Sequence, residues 1–141
     1  MPEHPNQLTT TNLAAWQTYA TEALTTETGP ARPPTRLDWC QIPGIGPGAE
    51  ILGDITGLRV LELGCGTGNT SAYLAAAGAP VTGVDSAAAQ IQRARLRWQH
   101  PNLDFVHAEA SDHLQRPGPR FDAIVSVFGP STGPHPPNSC R

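Results

Sequence analysis

Between residues 59 and 127, short apolar runs alternate with stretches whose apolar positions recur at helical spacing. The first run, Val60-Leu61-Glu62-Leu63, leads into glycines on alternate positions, Gly64, Gly66 and Gly68. The pattern predicts strands at about 59–63, 81–85, 103–107 and 121–127. Between them it predicts helices at 68–77 and 87–99, and a short helical turn at 110–114. In the second helix Ile91, Ala94 and Trp98 share one face, and Arg93, Arg95 and Arg97 are expected on a solvated one. Strands alternating with helices imply right-handed crossovers, hence an α/β fold with a parallel sheet.

Upstream, Leu13, Trp16, Ala20 and Leu24 recur at helical spacing behind Thr11 or Asn12, either of which suits an N-cap. A helix over about 12–25 is expected there, with residues 1–9 loose. Residues 25–57 are rich in Pro and Gly and read as irregular, apart from a helical turn near 49–52. A loop that long suits a lid or a binding loop. From 129 to 141 prolines stand at 130, 134, 136 and 137 and almost nothing is apolar, so this tail is expected to be disordered. The expected division is a helical cap segment at 1–57, a ligand-binding half-domain at 58–128, and the tail.

Composition narrows the function classes. A chain of 141 residues accommodates one domain with a real core. Its formal net charge of -3 and its scattered arginines give no basic tract for nucleic acid. The three cysteines, Cys40, Cys65 and Cys140, lie far apart, which argues against a disulfide framework or a metal site and for a reducing, cytoplasmic compartment. The five histidines are dispersed without ligand spacing. No basic start with an apolar core marks a signal peptide, and no run is long enough to span a membrane, so no membrane partner is expected.

The candidate chemistry sits at the glycine turn. A strand, a glycine turn, a helix, and a second strand tipped by Asp85 make a nucleoside-binding unit: the glycines admit the ligand, and the carboxylate takes ribose hydroxyls. A dinucleotide fingerprint would need glycine at position 69, where this chain has Asn69. Glu62 beside the turn is unwelcome next to a diphosphate and suits an ammonium group. Asp85 with Ser86 could instead cap the following helix. Cys65 has no histidine placed to activate it, and Tyr19 either closes over a ligand or packs in the core.

The segment Val60 to Phe128 resembles the N-terminal half of a class I S-adenosylmethionine-dependent methyltransferase. The family's first motif matches Glu62-Leu63-Gly64-Cys65-Gly66-Thr67-Gly68, and its second acidic residue matches Asp85, with Ser86 following. Its acidic-small pair after strand three matches Glu109-Ala110, with Asp112 as the alternative, and its fourth-strand pattern matches Phe121-Asp122-Ala123-Ile124-Val125-Ser126. The resemblance implies a Rossmann-like sheet of order 3-2-1-4, incomplete against the family's seven strands. It implies S-adenosylmethionine as cofactor, held by Glu62, Leu63, Gly64, Cys65, Gly66, Gly68, Asp85, Ser86, Glu109, Ala110 and Ser126. The implied activity is methyl transfer to an acceptor, most simply a small molecule. Any catalytic base is expected beyond these strands, so no catalytic residue is assigned. The tail after Phe128 reads as a truncated or out-of-frame end. That opens a second reading, a half-domain that regulates or complements another chain, beside a third, a nicotinamide-dependent oxidoreductase. Strand 121–127 would then present an apolar edge prone to self-association.

Overall fold

The structure is a computed structural model describing residues 4–40 and 42–127, with side chains from residue 11 onward. The expected disordered tail, residues 129–141, lies outside the described residues. Helix α1 spans His4–Leu24, and a single 3₁₀ turn spans Ala49–Leu52. Then β1 (Val60–Leu63), α2 (Asn69–Ala76), β2 (Val81–Asp85), α3 (Ala88–Arg97), β3 (Leu103–His107), α4 (Ala110–Gln115) and β4 (Ala123–Val125) follow in order. The strands form one parallel sheet, β3-β2-β1-β4.

Register explains the burial. Glu62 on β1 lies opposite Gly83 on β2 and Val125 on β4, and Gly83 lies opposite Phe105 on β3, so these four share one face. Helices α2 and α3 pack on that face. Leu74 and Ala75 of α2 join Val60, Val81 and Val125, while Ala72, Ile91, Ala94 and Trp98 enclose Phe105. A Cβ at Gly83 would meet the Phe105 ring and the Ser71 hydroxyl, each at 2.9 Å, so only glycine leaves room for that ring. On the opposite face Leu61, Val84 and Ala108 form a smaller cluster, and Ile124 is 57% exposed.

Three expectations are corrected. Helix α1 starts at His4, not near residue 12: Pro5 falls in its first turn, where a missing N–H is harmless, and polar residues extend a helix that apolar periodicity does not mark. Strand β4 is three residues long, not seven, because its partner ladder covers only Val60–Glu62. At its start the Asp122 and Ala123 N–H groups both donate to Arg59 O, and after it the Ser126 hydroxyl donates to Leu63 O at 2.9 Å. Arg93 is not solvated. It is only 9% exposed and meets Glu27, 3.5 Å away, across to the α1 side.

Helix α1 and the segment after it are held against α3 by further bonds. Ala89 N donates to Gln17 Oε1 at 3.1 Å, and Ala31 N donates to Arg97 O at 2.8 Å. Irregular as expected, the following loop is nonetheless tied. Asp38 accepts from Arg36 Nε at 2.7 Å and Gly44 N at 3.0 Å, while Trp39 Nε1 donates to Gly48 O at 2.9 Å.

Candidate functional site

A cleft of about 590 Å³ opens where β1 and β2 end, within the range of small-molecule sites. Its floor is the turn Gly64-Cys65-Gly66-Thr67 with Glu62 beneath, and Asp85 and Ser86 flank it. Glu109 and Ala110, at the start of α4, line another part. The opposite wall comes from α1, through Asn12, Leu13, Trp16 and Tyr19, and from Arg36, Asp38 and Cys40 of the loop. Of the sequence-derived candidates, Glu62, Gly64, Cys65, Gly66, Asp85, Ser86, Glu109 and Ala110 thus converge. Leu63, Gly68 and Ser126 do not line the cleft: Gly68 supports it as the N-cap of α2, and Ser126 braces Leu63.

The alternate glycines have a backbone cause. Gly64, Gly66 and Gly68 all adopt positive φ, at 68°, 54° and 79°, a region that L side chains rarely enter. Gly66 N donates to Asp85 Oδ2 at 2.9 Å, and Asp85 Oδ1 accepts from Ala87 N at 2.8 Å. Asp85 is therefore not the N-cap of α3: that position is Ala87, whose own side chain makes no cap bond, and Asp85 bonds its backbone N–H just ahead of the helix. The carboxylate instead fastens the two turns together. Each oxygen keeps a lone pair for an incoming hydroxyl.

Glu62 is 2% exposed, and its Oε2 makes no hydrogen bond of good geometry. Burial pushes its carboxyl up to about 8; the Ser71 hydroxyl opposes the shift, and the negative charge of Asp85 adds to it. Asp85 is also raised, by burial first, although its bonds from Ala87 and Gly66 oppose that. Across the cleft, Asn12 Oδ1 is likewise buried without a partner. Orphaned acceptors facing a cleft suit a ligand that brings donors, such as an ammonium. The Cys65 thiol is held protonated by burial, with Glu62 and Asp85 adding to the effect, which disqualifies it as a nucleophile. Among the described residues no cluster of His, Cys, Asp or Glu fits a metal ion.

Sequence reasoning missed part of the wall. Gln90 and Arg93 of α3 line the cleft, and Arg93 sits 5.8 Å over the Tyr19 ring, which itself meets Trp16 edge-on at 5.8 Å. A polar Gln90 between Ala87 and Ala94 on the core-facing stripe was the available signal.

Residues 60–138 match the family model described as a methyltransferase domain. The ubiquinone biosynthesis O-methyltransferase of Erwinia tasmaniensis is 34% identical over 67% of this chain and 36% of its own length. The fatty-acid O-methyltransferase of Mycolicibacterium smegmatis is 41% identical over 52% of this chain and 27% of its own. This chain therefore spans about a third of such relatives. Among solved structures, a DhpI–SAM–HEP complex superposes with a TM-score of 0.56 at 26% identity, over 89% of this chain and 52% of that one.

Proposed function

The chain belongs to the methyltransferase-domain family, and from that premise we propose that it binds S-adenosylmethionine in the cleft and serves methyl transfer to a small-molecule acceptor. The observation that carries this reading is the pairing of Asp85, fastened to the glycine turn, with the buried, unsatisfied Glu62 in the same cleft. Asp85 would take the ribose hydroxyls, Glu62 the ammonium group, and Glu109 the adenine amine. The backbone of Gly64-Cys65-Gly66 would lie against the amino-acid end, with Leu63, Gly68, Ser86, Ala110 and Ser126 shaping or bracing the pocket. When bound, S-adenosylmethionine supplies a methyl group already activated by its sulfonium, so this chain's contribution is alignment and exclusion of water. Trp16 and Tyr19 on α1 form the apolar wall suited to the second task.

Relatives named for ubiquinone biosynthesis and for fatty acids support a small-molecule acceptor. Cys40 and Cys65 are free thiols, and no helix among the described residues is long and apolar enough to cross a membrane. Both fit a cytoplasmic enzyme in which residues 1–57 act as a cap on the cofactor half-domain at 58–128.

Calorimetry with S-adenosylhomocysteine and with NADH tests the reading. The first should bind and the second should not; binding of NADH alone would overturn it. The same titrations carry a proton signature. Glu62 is protonated in the free protein at pH 7 and would ionise on meeting an ammonium, so its pKa falls on binding. Affinity should then rise from pH 6 to 7.5, with net proton release read from the difference in heat between phosphate and Tris buffers. Glu62→Gln should abolish that difference. A release unchanged in Glu62→Gln would place the proton elsewhere.

We also propose that β4 is a pairing edge. Among the described residues it pairs only with β1, and Ile124 is 57% exposed. Sedimentation at micromolar concentration should show self-association that Ile124→Lys removes, since a charge on an open strand disfavours edge pairing. A parent that stays monomeric would refute it.

A further inference from the structure

Gln90 is 4% exposed and lines the cleft from α3, next to the glycine turn. Its amide has a fixed direction. Arg93 Nη1 donates to Gln90 Oε1 at 3.2 Å. A guanidinium has only donors, so the oxygen end must face Arg93 and the NH₂ end must face the other way. That end points to the turn: a Cβ built at Gly66 would lie 3.8 Å from Gln90 Nε2. Arg93 in turn is held by Glu27, 3.5 Å from its Nε, with both side chains 10% exposed, and by the Tyr19 ring beneath it. The order Glu27, Arg93, Gln90 thus runs from the end of the α1 segment to the cleft and presents a donor there.

That donor stands beside an acceptor. Asp85 Oδ2 bonds Gly66 N, the same residue that Gln90 Nε2 approaches. A ribose hydroxyl that donates its hydrogen to Asp85 still has lone pairs on its oxygen. Resting on the reading that the cleft takes an S-adenosyl ligand, we infer that Gln90 is a ligand-binding residue: its Nε2 donates to a ribose hydroxyl oxygen whose hydrogen Asp85 accepts. Glu27 and Arg93 are positioning residues that keep the amide donor-inward. Asp85 and Gln90 together read a hydroxyl as donor and acceptor at once, which neither a deoxyribose nor an ether satisfies.

The test uses S-adenosylhomocysteine and its 2′-deoxy and 3′-deoxy analogues, with binding followed by calorimetry and folding by thermal melting. Gln90→Met keeps the side-chain length and removes the donor. It should weaken S-adenosylhomocysteine roughly threefold to tenfold, the size of one neutral hydrogen bond, and leave one of the two deoxy analogues bound as by the parent. Arg93→Met should weaken S-adenosylhomocysteine by a similar factor, yet add nothing in the double variant with Gln90→Met. A purely structural role for Arg93 would add its full effect there. The inference falls if Gln90→Met binds S-adenosylhomocysteine as the parent does, if it loses the same factor with both deoxy analogues, or if the Arg93 effect is additive. Failure of the parent to bind S-adenosylhomocysteine at all would overturn the underlying reading, and the role of Gln90 with it.

Discussion

Asp85→Ala should weaken S-adenosylhomocysteine binding by about 10- to 150-fold, the loss of about 1.5–3 kcal/mol expected when bonds to a charged acceptor are deleted. The effect should sit at the upper end of that range, because Asp85 has two tasks. It would meet the ligand, and it also holds Gly66 N at 2.9 Å and Ala87 N at 2.8 Å, so its removal loosens the turn that the ligand lies on. Asp85→Asn separates the tasks. An amide oxygen can keep one of the two backbone bonds, but the charge is gone, so stability should recover more than affinity does. Calorimetry and denaturant unfolding on the two variants decide it. An alanine variant that binds like the parent would leave Asp85 only its part in fastening the turns.

Gly68→Ala should lower folding stability by about 2–5 kcal/mol, measured by urea denaturation. Two effects add. A φ of 79° costs an L residue about 1–2 kcal/mol, and the new methyl would fall 2.5 Å from Phe105 Cζ and 3.1 Å from Trp98 Cδ1. Forcing an extra carbon into a filled core typically costs about 1–3 kcal/mol. The ring cannot retreat easily, since Phe105 is buried among Ala72, Ile91 and Trp98, and Trp98 Nε1 is tied to Thr67 O at 2.6 Å. Gly66→Ala is the control. Its φ is also positive, but its nearest neighbour is Gln90 Nε2 at 3.8 Å, so only the conformational part should appear. Equal losses in the two variants would show that crowding at Gly68 is unimportant.

These expectations rest on the region where the chain is easiest to read. The bounds of β2 and β3 follow directly from their apolar runs: β2 lies inside the sheet, and β3, at its edge among the described strands, is anchored by Phe105 buried against α3. The spacing of Gly64, Gly66 and Gly68 was legible because a tight strand-to-helix turn admits few other residues. Where the outcome depends on a distant partner, the chain is silent. The length of β4 is decided by how much of β1 it can reach, and nothing between Phe121 and Val127 reports that. The start of α1 carries no apolar stripe, so periodicity stops short of His4. Arg93 resembles Arg95 and Arg97 in sequence, yet only Arg93 faces Glu27, which lies 66 positions earlier. Gln90 was the one readable exception. A glutamine on a core-facing helical stripe must find partners, and here those partners form the back of the cleft.

Helix α1 contributes one wall of the cleft, and it is held to α3 by Gln17 and, through the segment that follows it, by Glu27 and Ala31. During synthesis this imposes a delay. At about 5–20 residues per second, the roughly 70 residues between Leu24 and the end of α3 take about 4–15 seconds to emerge. For that interval Trp16, Ala20 and the other inward positions of α1 have no surface to dock on. The ribosome therefore delivers the wall before the building it leans against, and a slow codon run ahead of α3 would lengthen the exposure of Trp16 and its apolar neighbours to chaperones or to other nascent chains.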